Sequence, residues 1–405
     1  MIRELNMFGR RKKRVYLDWA AATPLLPEAK AAMLPFLSGD FGNPSAIHKE
    51  GSVARQAVEG ARDKVARTFK VRPEFITFTS GGTEANNIAI LGSIKKLVES
   101  GSEYCDLEVV TTKIEHPSVS RAFDELESLG VKVKYVAVDE TGLINLTALR
   151  ELLSAKTALV SVSYINSEIG TIQKLHAIKK VLKEAEEVYG NSILFHVDAA
   201  QAPLWVNCQF DTTQADYLAL DAAKCCGPKG VGVLVQSRRA AVSPVTFGGG
   251  QEAGLRPGTE NVAGVVGAAV ALEAAQADWK SRQETISLVR DQAIKYLLAE
   301  VPEALINGAF GADRVANNIN ISLPLYDTEF MAVVLDKHGF AVSTKSACSG
   351  AGGGESAVVK EISADPSRAA STLRITSGSD TTLKDLQRLT AVLRKHLDKM
   401  SAYIK

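Results

Sequence analysis

Between about residue 72 and residue 236 the chain alternates short apolar runs with longer segments of helical periodicity. The strand-like runs are FITFT (75–79), LEVVTT (107–112), KVKYVAV (132–138), TALVSVSY (157–164), SILFHV (192–197), YLALD (217–221) and VGVLVQ (231–236). Several are almost continuously apolar, as expected for strands covered on both faces. Helical patterns such as GTEANNIAILGSIKKLVES and QKLHAIKKVLKEAEEVYG separate many of them. The alternation predicts an α/β fold with a largely parallel sheet.

A second, smaller α/β unit is predicted nearer the C-terminus. A long helical region follows Asn261, and after it come the strand-like runs NNINISL (317–323), FAVST (340–344) and TLRIT (372–376). Helices are expected near Thr328–His338 and in LKDLQRLTAVLRKHLDKM at the end. We therefore expect a large domain over residues 20–262 and a small domain over residues 263–405, with residues 1–19 packing nearby.

Composition excludes several classes of function. The 405 residues carry a net charge of +1, so the charge balance gives no reason to expect nucleic acid or an acidic membrane as a partner. The basic run from Arg10 to Arg14 is interpreted as a solvated arm. No run approaches the ~18 apolar residues of a membrane span. Five scattered cysteines and no CxxC pair indicate a reducing cytoplasm and no structural zinc site.

Lys224 and Asp198 suggest a cofactor. Lys224 follows the apolar run YLALD and precedes a Gly-Pro-Lys-Gly turn, while Asp198 ends the run ILFHVD. A lysine amine can form a Schiff base with an aldehyde, and an acid can hold a pyridinium nitrogen protonated. The pair therefore predicts pyridoxal 5'-phosphate (PLP).

Three further segments could serve such a cofactor. In FTSGGTEANN (78–87), Gly81, Gly82 and Thr83 form either a phosphate cradle or a glycine turn with a threonine cap. His116 in KIEHPSV could stack on an aromatic ring and move protons, or be an ordinary loop histidine. The glycine-rich segment 247–262, with Thr259 near its end, is either a second phosphate contact or a flexible connection.

The C-terminal part offers a nucleophile and an anion clamp. Cys348 lies in STKSACSGAGGGES (343–356), a loop of small residues that would let a thiol move, although an inert cysteine is the alternative. Arg374 lies in a strand-like run, where it would bind a substrate carboxylate or form a structural ion pair. Cys225 and Cys226 are interpreted as small buried residues rather than redox or metal groups.

Together these segments resemble the cysteine desulfurases of the NifS/IscS type, in the class V aminotransferase group of fold-type I PLP enzymes. The resemblance runs in order over nearly the whole chain. It rests on YLDWAAATP (16–24), FGNPSAIHKEG (41–51), FTSGGTEANN, KIEHPSV, INSEIGTIQ (165–173), HVDAAQ (196–201), KCCGPKGVG (224–232), GGGQEAGLRPGTENV, SACSG (346–350) and LRITSG (373–378). It implies a mostly parallel seven-stranded sheet covered by helices, with a smaller α/β domain carrying the cysteine loop.

The resemblance also implies roles for single residues. Lys224 would bind PLP covalently, Asp198 would pair with the pyridine nitrogen, and His116 would stack on the ring and move protons. The further cofactor contacts would be Gln201, Ser167, Gly82, Thr83 and, from the partner subunit of a homodimer, Thr259. Arg374, Asn43 and Asn166 would bind the substrate L-cysteine. Cys348 would attack its sulfur, which gives L-alanine and a persulfide for an iron–sulfur scaffold or a tRNA-thiolation protein.

Three positions depart from the family pattern. The family's Ser-x-His-Lys is Asp221-Ala222-Ala223-Lys224 here, so Asp221 would repel the phosphate unless it points away or meets a cation. Ser167 replaces the second asparagine of Asn-Asn-Glu-x-Gly, and Ser379 replaces the arginine of Ser-Leu-Gly-Arg.

The resemblance predicts a cytoplasmic, homodimeric cysteine desulfurase that supplies sulfur for iron–sulfur clusters or tRNA thiolation. One alternative is another class V enzyme, a selenocysteine lyase or an aminotransferase. Another is a weakly active homologue that acts as a binding partner in a sulfur-transfer assembly.

Overall fold

The computed structural model of the chain describes residues 14–344 and 354–401. The predicted nucleophile Cys348 and residues 10–13 of the basic run lie outside the described residues. Arg14, the last residue of that run, forms an ion pair with Asp336.

The described strands are β1 (Val15–Tyr16), β2 (Ile76–Thr79), β3 (Glu108–Thr111), β4 (Lys132–Tyr135), β5 (Thr157–Ser163), β6 (Leu194–Asp198), β7 (Tyr217–Asp221), β8 (Gly232–Gln236), β9 (Leu305–Ile306), β10 (Asn318–Ser322), β11 (Phe340–Ala341) and β12 (Thr372–Thr376). The described α-helices are α1 (Pro27–Ser38), α2 (Lys49–Phe69), α3 (Gly82–Glu99), α4 (Pro117–Ser128), α5 (Leu146–Leu152), α6 (Leu175–Tyr189), α7 (Phe210–Thr213), α8 (Val262–Ala277), α9 (Trp279–Glu300), α10 (Thr328–Lys337), α11 (Ala357–Ser363), α12 (Pro366–Ala370) and α13 (Leu383–Ser401).

The chain divides into two compact units. The large unit comprises residues 22–167 and 171–282, and the small unit comprises residues 1–21, 168–170 and 283–405. The long helical region predicted after Asn261 is two helices, α8 and α9, separated at Asp278.

The large unit is built on a seven-stranded sheet with the strand order β2-β8-β7-β6-β5-β3-β4. The neighbours β7–β6, β6–β5, β5–β3 and β3–β4 are parallel, whereas β8 runs antiparallel to both β7 and β2. The predicted fold class is therefore confirmed: a mostly parallel seven-stranded sheet in an α/β fold.

Burial explains the apolar runs of the sequence. Every residue of β3, β5 and β6 is buried, which agrees with strands covered on both faces. The edge strand β4 instead exposes Lys132 and Tyr135, and lysine on an edge strand discourages pairing with another chain.

The small unit has its own core and sheet. The strand β10 pairs antiparallel with β12 and β9, while β1 pairs in parallel with β11. Buried side chains of α9, α10 and α13, including Leu297, Leu335 and Leu393, pack in one cluster with Ile321 and Leu373 of the sheet. The predicted strand 340–344 is shorter than expected, because its partner β1 has only two paired residues.

Candidate active site

The candidate residues of the large unit follow the carboxyl ends of neighbouring strands. Asp198 is the last residue of β6, and Asp221 ends β7 just before Lys224. His116 follows β3, and Gly82 follows β2, which runs in the direction of β7 because β8 is antiparallel to both. In open α/β sheets this edge is the usual ligand-binding edge.

The Asp198 carboxylate is buried and held by two donors. Its Oδ1 accepts the Ala200 amide at 3.0 Å, and its Oδ2 accepts the side-chain amide of Asn86 at 2.9 Å. Burial raises the pKa of Asp198, although these donors and the charge of His116 oppose the shift. A buried carboxylate of this kind favours a cationic partner, because a nearby positive charge stabilises its ionised form.

Asn86 connects the carboxylate to two histidines. Its side-chain nitrogen also donates to Ser118 Oγ at 2.8 Å, so its oxygen is the acceptor for His196 Nε2 at 3.1 Å. His196 is fully buried, with Ser161 Oγ 2.8 Å from Nδ1. Burial lowers the pKa of His196 to about 3, so the ring is neutral at pH 7. A neutral ring that donates at Nε2 must accept at Nδ1.

The same hydrogen-bond network, through Ser118, also orients His116. His116 is the N-cap of α4, and its Nδ1 accepts the Ser118 amide at 3.1 Å and lies 2.8 Å from Ser118 Oγ. A neutral ring that accepts at Nδ1 carries its proton on Nε2. Burial lowers the pKa of His116, as does Lys224, whereas the charges of Asp198 and Asp221 oppose the shift.

Lys224 closes a short 3₁₀ turn, Ala222–Lys224, which directly follows β7. Asp221 caps this turn, because its Oδ1 accepts the Ala223 amide at 2.9 Å. Thr23 fixes the other side, since its Oγ1 donates to the Ala223 carbonyl at 2.9 Å and accepts the Cys226 amide at 2.7 Å. The half-buried lysine therefore stands on a turn whose backbone is held on both sides.

The predicted phosphate cradle lies at the first turn of α3. Gly81 precedes the helix and has no side chain to cap its first amides. A Cβ on Gly82 would lie 3.6 Å from both the Ala200 Cβ and Asp221 Oδ2. Gly232 of β8 pairs with Asp221 of β7 on one side and with Thr79 of β2 on the other. The backbone of Gly81 packs so closely against Gly232 that a Cβ there would overlap the Gly81 carbonyl. The Asp221 side chain therefore lies beside the first residue of α3, with its Cβ 3.3 Å and its Oδ2 3.6 Å from the position of a Cβ on Gly82.

Other residues near this edge have definite places. Asn166 is buried and donates to the Ile114 carbonyl at 2.8 Å, two residues before His116. Burial raises the pKa of the Glu115 carboxyl to about 7, and Thr112 Oγ1 donates to it at 2.8 Å. Cys225 is buried and its thiol contacts the Ala222 carbonyl at 3.4 Å, so its interpretation as a small buried residue is confirmed, whereas Cys226 is only half-buried.

Arg374 lies in the small unit, buried in β12. Its Nη2 is 3.0 Å from Asp18 Oδ1, and its backbone pairs with Ser343. Burial raises the pKa of Glu168, whose Oε2 accepts Ser356 Oγ at 2.6 Å. Ser343 and Ser356 flank the segment that contains Cys348, so both ends of that segment are fixed within the small unit.

Sequence reasoning missed Asn86, Ser118, His196 and Thr23, although all four lie inside the quoted motifs. The roles predicted for Gln201, Ser167, Asn43, Thr83 and Thr259 stay predictions. Over residues 14–344 and 354–401 no group of three or more His, Cys, Asp or Glu side chains is placed to hold a metal ion. Among the helices of those same residues, none combines the length and apolarity that a bilayer crossing needs.

Comparison with known proteins identifies the family of this chain. Residues 15–389 match the family model described as aminotransferase class-V. The cysteine desulfurase IscS of Dictyoglomus turgidum is 37% identical over 389 residues, which cover 96% of each chain. A solved NifS-like protein aligns with a TM-score of 0.86 at 31% identity, covering 95% of this chain and 99% of the other. The solved structure of SspA in complex with cysteine has a TM-score of 0.73 at 30% identity, covering 90% and 98%. The chain belongs to the aminotransferase class-V family.

Proposed function

We propose that this protein is a PLP-dependent cysteine desulfurase that converts L-cysteine to L-alanine and transfers the sulfur to an acceptor. Members of the aminotransferase class-V family use PLP in general, and the Dictyoglomus turgidum relative is named a cysteine desulfurase. The observation that carries the proposal is the buried Asp198–Asn86–Ser118–His116 network beside the turn of Lys224.

The residues at this edge fit the ring of PLP. Asp198 is a buried carboxylate that a protonated pyridine nitrogen would stabilise, and Asn86 keeps it in one orientation. His116 lies within electrostatic range of both Asp198 and Lys224, as a residue over the ring would. The first turn of α3 offers amide donors for a phosphate. Bound PLP would supply an electron-withdrawing ring that stabilises negative charge on the substrate carbon.

The protein's own groups then have separate tasks. The Lys224 amine would be the covalent attachment point for the aldehyde, and the hydrogen bonds that fix its turn limit where the nitrogen can go. Asp198 would hold the proton on the pyridine nitrogen. His116, with Nδ1 accepting from Ser118, presents its proton at Nε2, from where it can be given to a reacting atom. Arg374 is proposed to bind the substrate carboxylate through its guanidinium.

The sulfur step is assigned to Cys348 from the resemblance alone. Its thiolate would attack the substrate sulfur, so that a sulfur–sulfur bond forms and the carbon–sulfur bond breaks. The electron pair of the broken bond passes to the carbon, which takes a proton and leaves as L-alanine. The persulfide on Cys348 would then pass to an iron–sulfur scaffold or a sulfur-carrier protein. A homodimer with Thr259 at the partner's phosphate and a cytoplasmic location remain part of this proposal.

The test is sulfide release from L-cysteine in the presence of a reductant. We expect wild type to release sulfide and form L-alanine, and Cys348→Ala to lose sulfide release while keeping its PLP absorbance. Cys105→Ala is the matched control, because Cys105 is exposed and in another segment, and it should keep full activity. Transamination that survives Cys348→Ala would overturn the proposal in favour of an aminotransferase.

A further inference from the structure

The Asp221 carboxylate lies beside the first residue of α3, the helix whose amino terminus is proposed to bind the cofactor phosphate. Its Oδ1 caps the Lys224 turn through the Ala223 amide, while its Oδ2 lies 3.6 Å from the position of a Cβ on Gly82. Gly82 is the first residue of α3, an 18-residue helix whose N-terminal amides attract anions. A phosphate bound at these amides would therefore have the Asp221 carboxylate nearby.

Other charged groups lie at the same edge of the sheet. The charge of Asp221 makes a small contribution that raises the pKa of both Asp198 and His116, the two groups proposed to contact the ring. The cation next to α3 is already engaged, since Arg256 Nε lies 3.5 Å from Glu84 Oε2, and Glu84 also accepts the Ser80 amide. The described charges near the start of α3 thus include two carboxylates and one guanidinium. A phosphate would add further negative charge to this group.

We propose that Asp221 has two opposing effects on the site. It caps the Lys224 turn, and its negative charge lowers the affinity for the phosphate of PLP. Two routes lead to the same result. If Asp221 keeps its position, its charge repels the phosphate. If it turns away, the Ala223 amide loses its acceptor and the Lys224 turn loses its cap. In both cases the phosphate-bound state is less stable than it would be with a neutral residue at position 221. The inference rests on the proposed function, because it concerns the same cofactor.

The experiment distinguishes an effect of the Asp221 charge on the phosphate from an effect of Asp221 on the position of Lys224. Full-length protein stripped of PLP with hydroxylamine is titrated with PLP and, separately, with pyridoxal, which has the aldehyde but no phosphate. Borohydride trapping on Lys224, measured by intact mass, gives the bound fraction at each concentration. Asp221→Asn removes the charge and keeps an oxygen for the Ala223 amide, and Asp221→Ser removes the charge with a shorter side chain. The control is Asp327→Asn, which alters another capping carboxylate, one that accepts the Glu329 and Phe330 amides at 3.0 Å.

We expect Asp221→Asn to lower the dissociation constant for PLP at least about tenfold and to change that for pyridoxal less than about twofold. Asp221→Ser should shift PLP affinity in the same direction, and Asp327→Asn should shift neither. Equal changes for both aldehydes would overturn the proposal, because Asp221 would then act only through Lys224. Unchanged PLP affinity would overturn it as well. Failure of wild type and both Asp221 variants to trap either aldehyde would instead contradict the proposed function.

Discussion

His196 donates a hydrogen bond from Nε2 to the side-chain oxygen of Asn86 across 3.1 Å, within the large unit. This bond leaves both amide hydrogens of Asn86 for Asp198 and Ser118. The orientation of an asparagine side chain is otherwise ambiguous, because its oxygen and nitrogen can exchange places. The amide is therefore held in one orientation by three partners, His196, Ser118 and Asp198, and it holds the position of the Asp198 carboxylate.

Replacing Asn86 with Ala should weaken cofactor binding. The substitution removes one donor to Asp198 and the donor to Ser118, so the pKa of Asp198 should rise further and the carboxylate should lose its fixed orientation. We expect PLP affinity to fall at least about tenfold, which corresponds to about 1.4 kcal/mol. Titration of the visible PLP absorbance measures it. Asn145→Ala is the control, because Asn145 only caps α5 and its loss should lower stability by about 0.5–2 kcal/mol without changing PLP affinity. Equal PLP affinities in Asn86→Ala and wild type would refute this role.

His196 should make the protein sensitive to acid. Its pKa is about 3 in the folded protein, well below the ordinary histidine value of 6.5 that applies to the unfolded chain. Below pH 6.5 the unfolded chain therefore binds a proton that the folded chain does not. Stability is lost as pH falls below 6.5, by up to about 1.4 kcal/mol per pH unit from this group. The free energy of unfolding, measured with denaturant between pH 7 and pH 4.5, should fall less steeply with pH in His196→Gln than in wild type, because glutamine cannot take up the proton.

The exposed His176 provides the control for this pH effect. His176→Gln should lose stability in parallel with wild type over the same pH range. If the stability of His196→Gln fell with pH as steeply as that of wild type, the conclusion that His196 is buried in its neutral form would be wrong.

Ser356→Ala should destabilise the small unit. The Ser356 hydroxyl accepts the Val359 amide at 3.0 Å as the N-cap of α11, and it donates to Glu168 at 2.6 Å. Its removal loses a helix cap and raises the pKa of the buried Glu168 carboxyl further. We expect the free energy of unfolding to fall by about 1–3 kcal/mol. Ser356→Thr keeps the hydroxyl and should lose much less. The hydrogen bond would have no measurable role if both variants lost the same amount.

Arg374→Lys should raise the KM for L-cysteine more than it lowers kcat. A lysine keeps the positive charge but cannot offer a carboxylate the two parallel donors of a guanidinium. We expect KM to rise at least about tenfold. Arg388→Lys is the control, since Arg388 forms a partly exposed ion pair with Asp385 and should leave KM unchanged. A fall in kcat at unchanged KM would assign Arg374 a structural role with Asp18 instead.

Much of the fold could be predicted from the sequence, because the apolar runs are the buried strands. Each of the seven predicted runs of the large sheet overlaps an observed strand. The pattern did not predict β1 and β9, which have two residues each and are too short for any periodicity. It also missed the interruption at Asp278, where two helical patterns follow each other directly.

The site was predicted less completely than the fold. Lys224, Asp198 and His116 are recognisable because they follow strand ends in motifs. The roles of Asn86 and His196 depend on a contact between residues 110 positions apart, and no local pattern encodes it. The direction of the Asp221 side chain was open for the same reason. Its place beside the first residue of α3 depends on the fold of the sheet, which brings Asp221 and Gly82 together.

The division of the small unit into residues 1–21, 168–170 and 283–405 limits which fragments of this protein can be prepared. A polypeptide ending at residue 282 would keep Asp18 and Glu168 but lose Arg374 and Ser356, their partners. It would therefore leave the buried Glu168 and the half-buried Asp18 without these two partners. No single truncation point separates the two units, so deletion mapping of an acceptor-binding region should use full-length chains with surface substitutions.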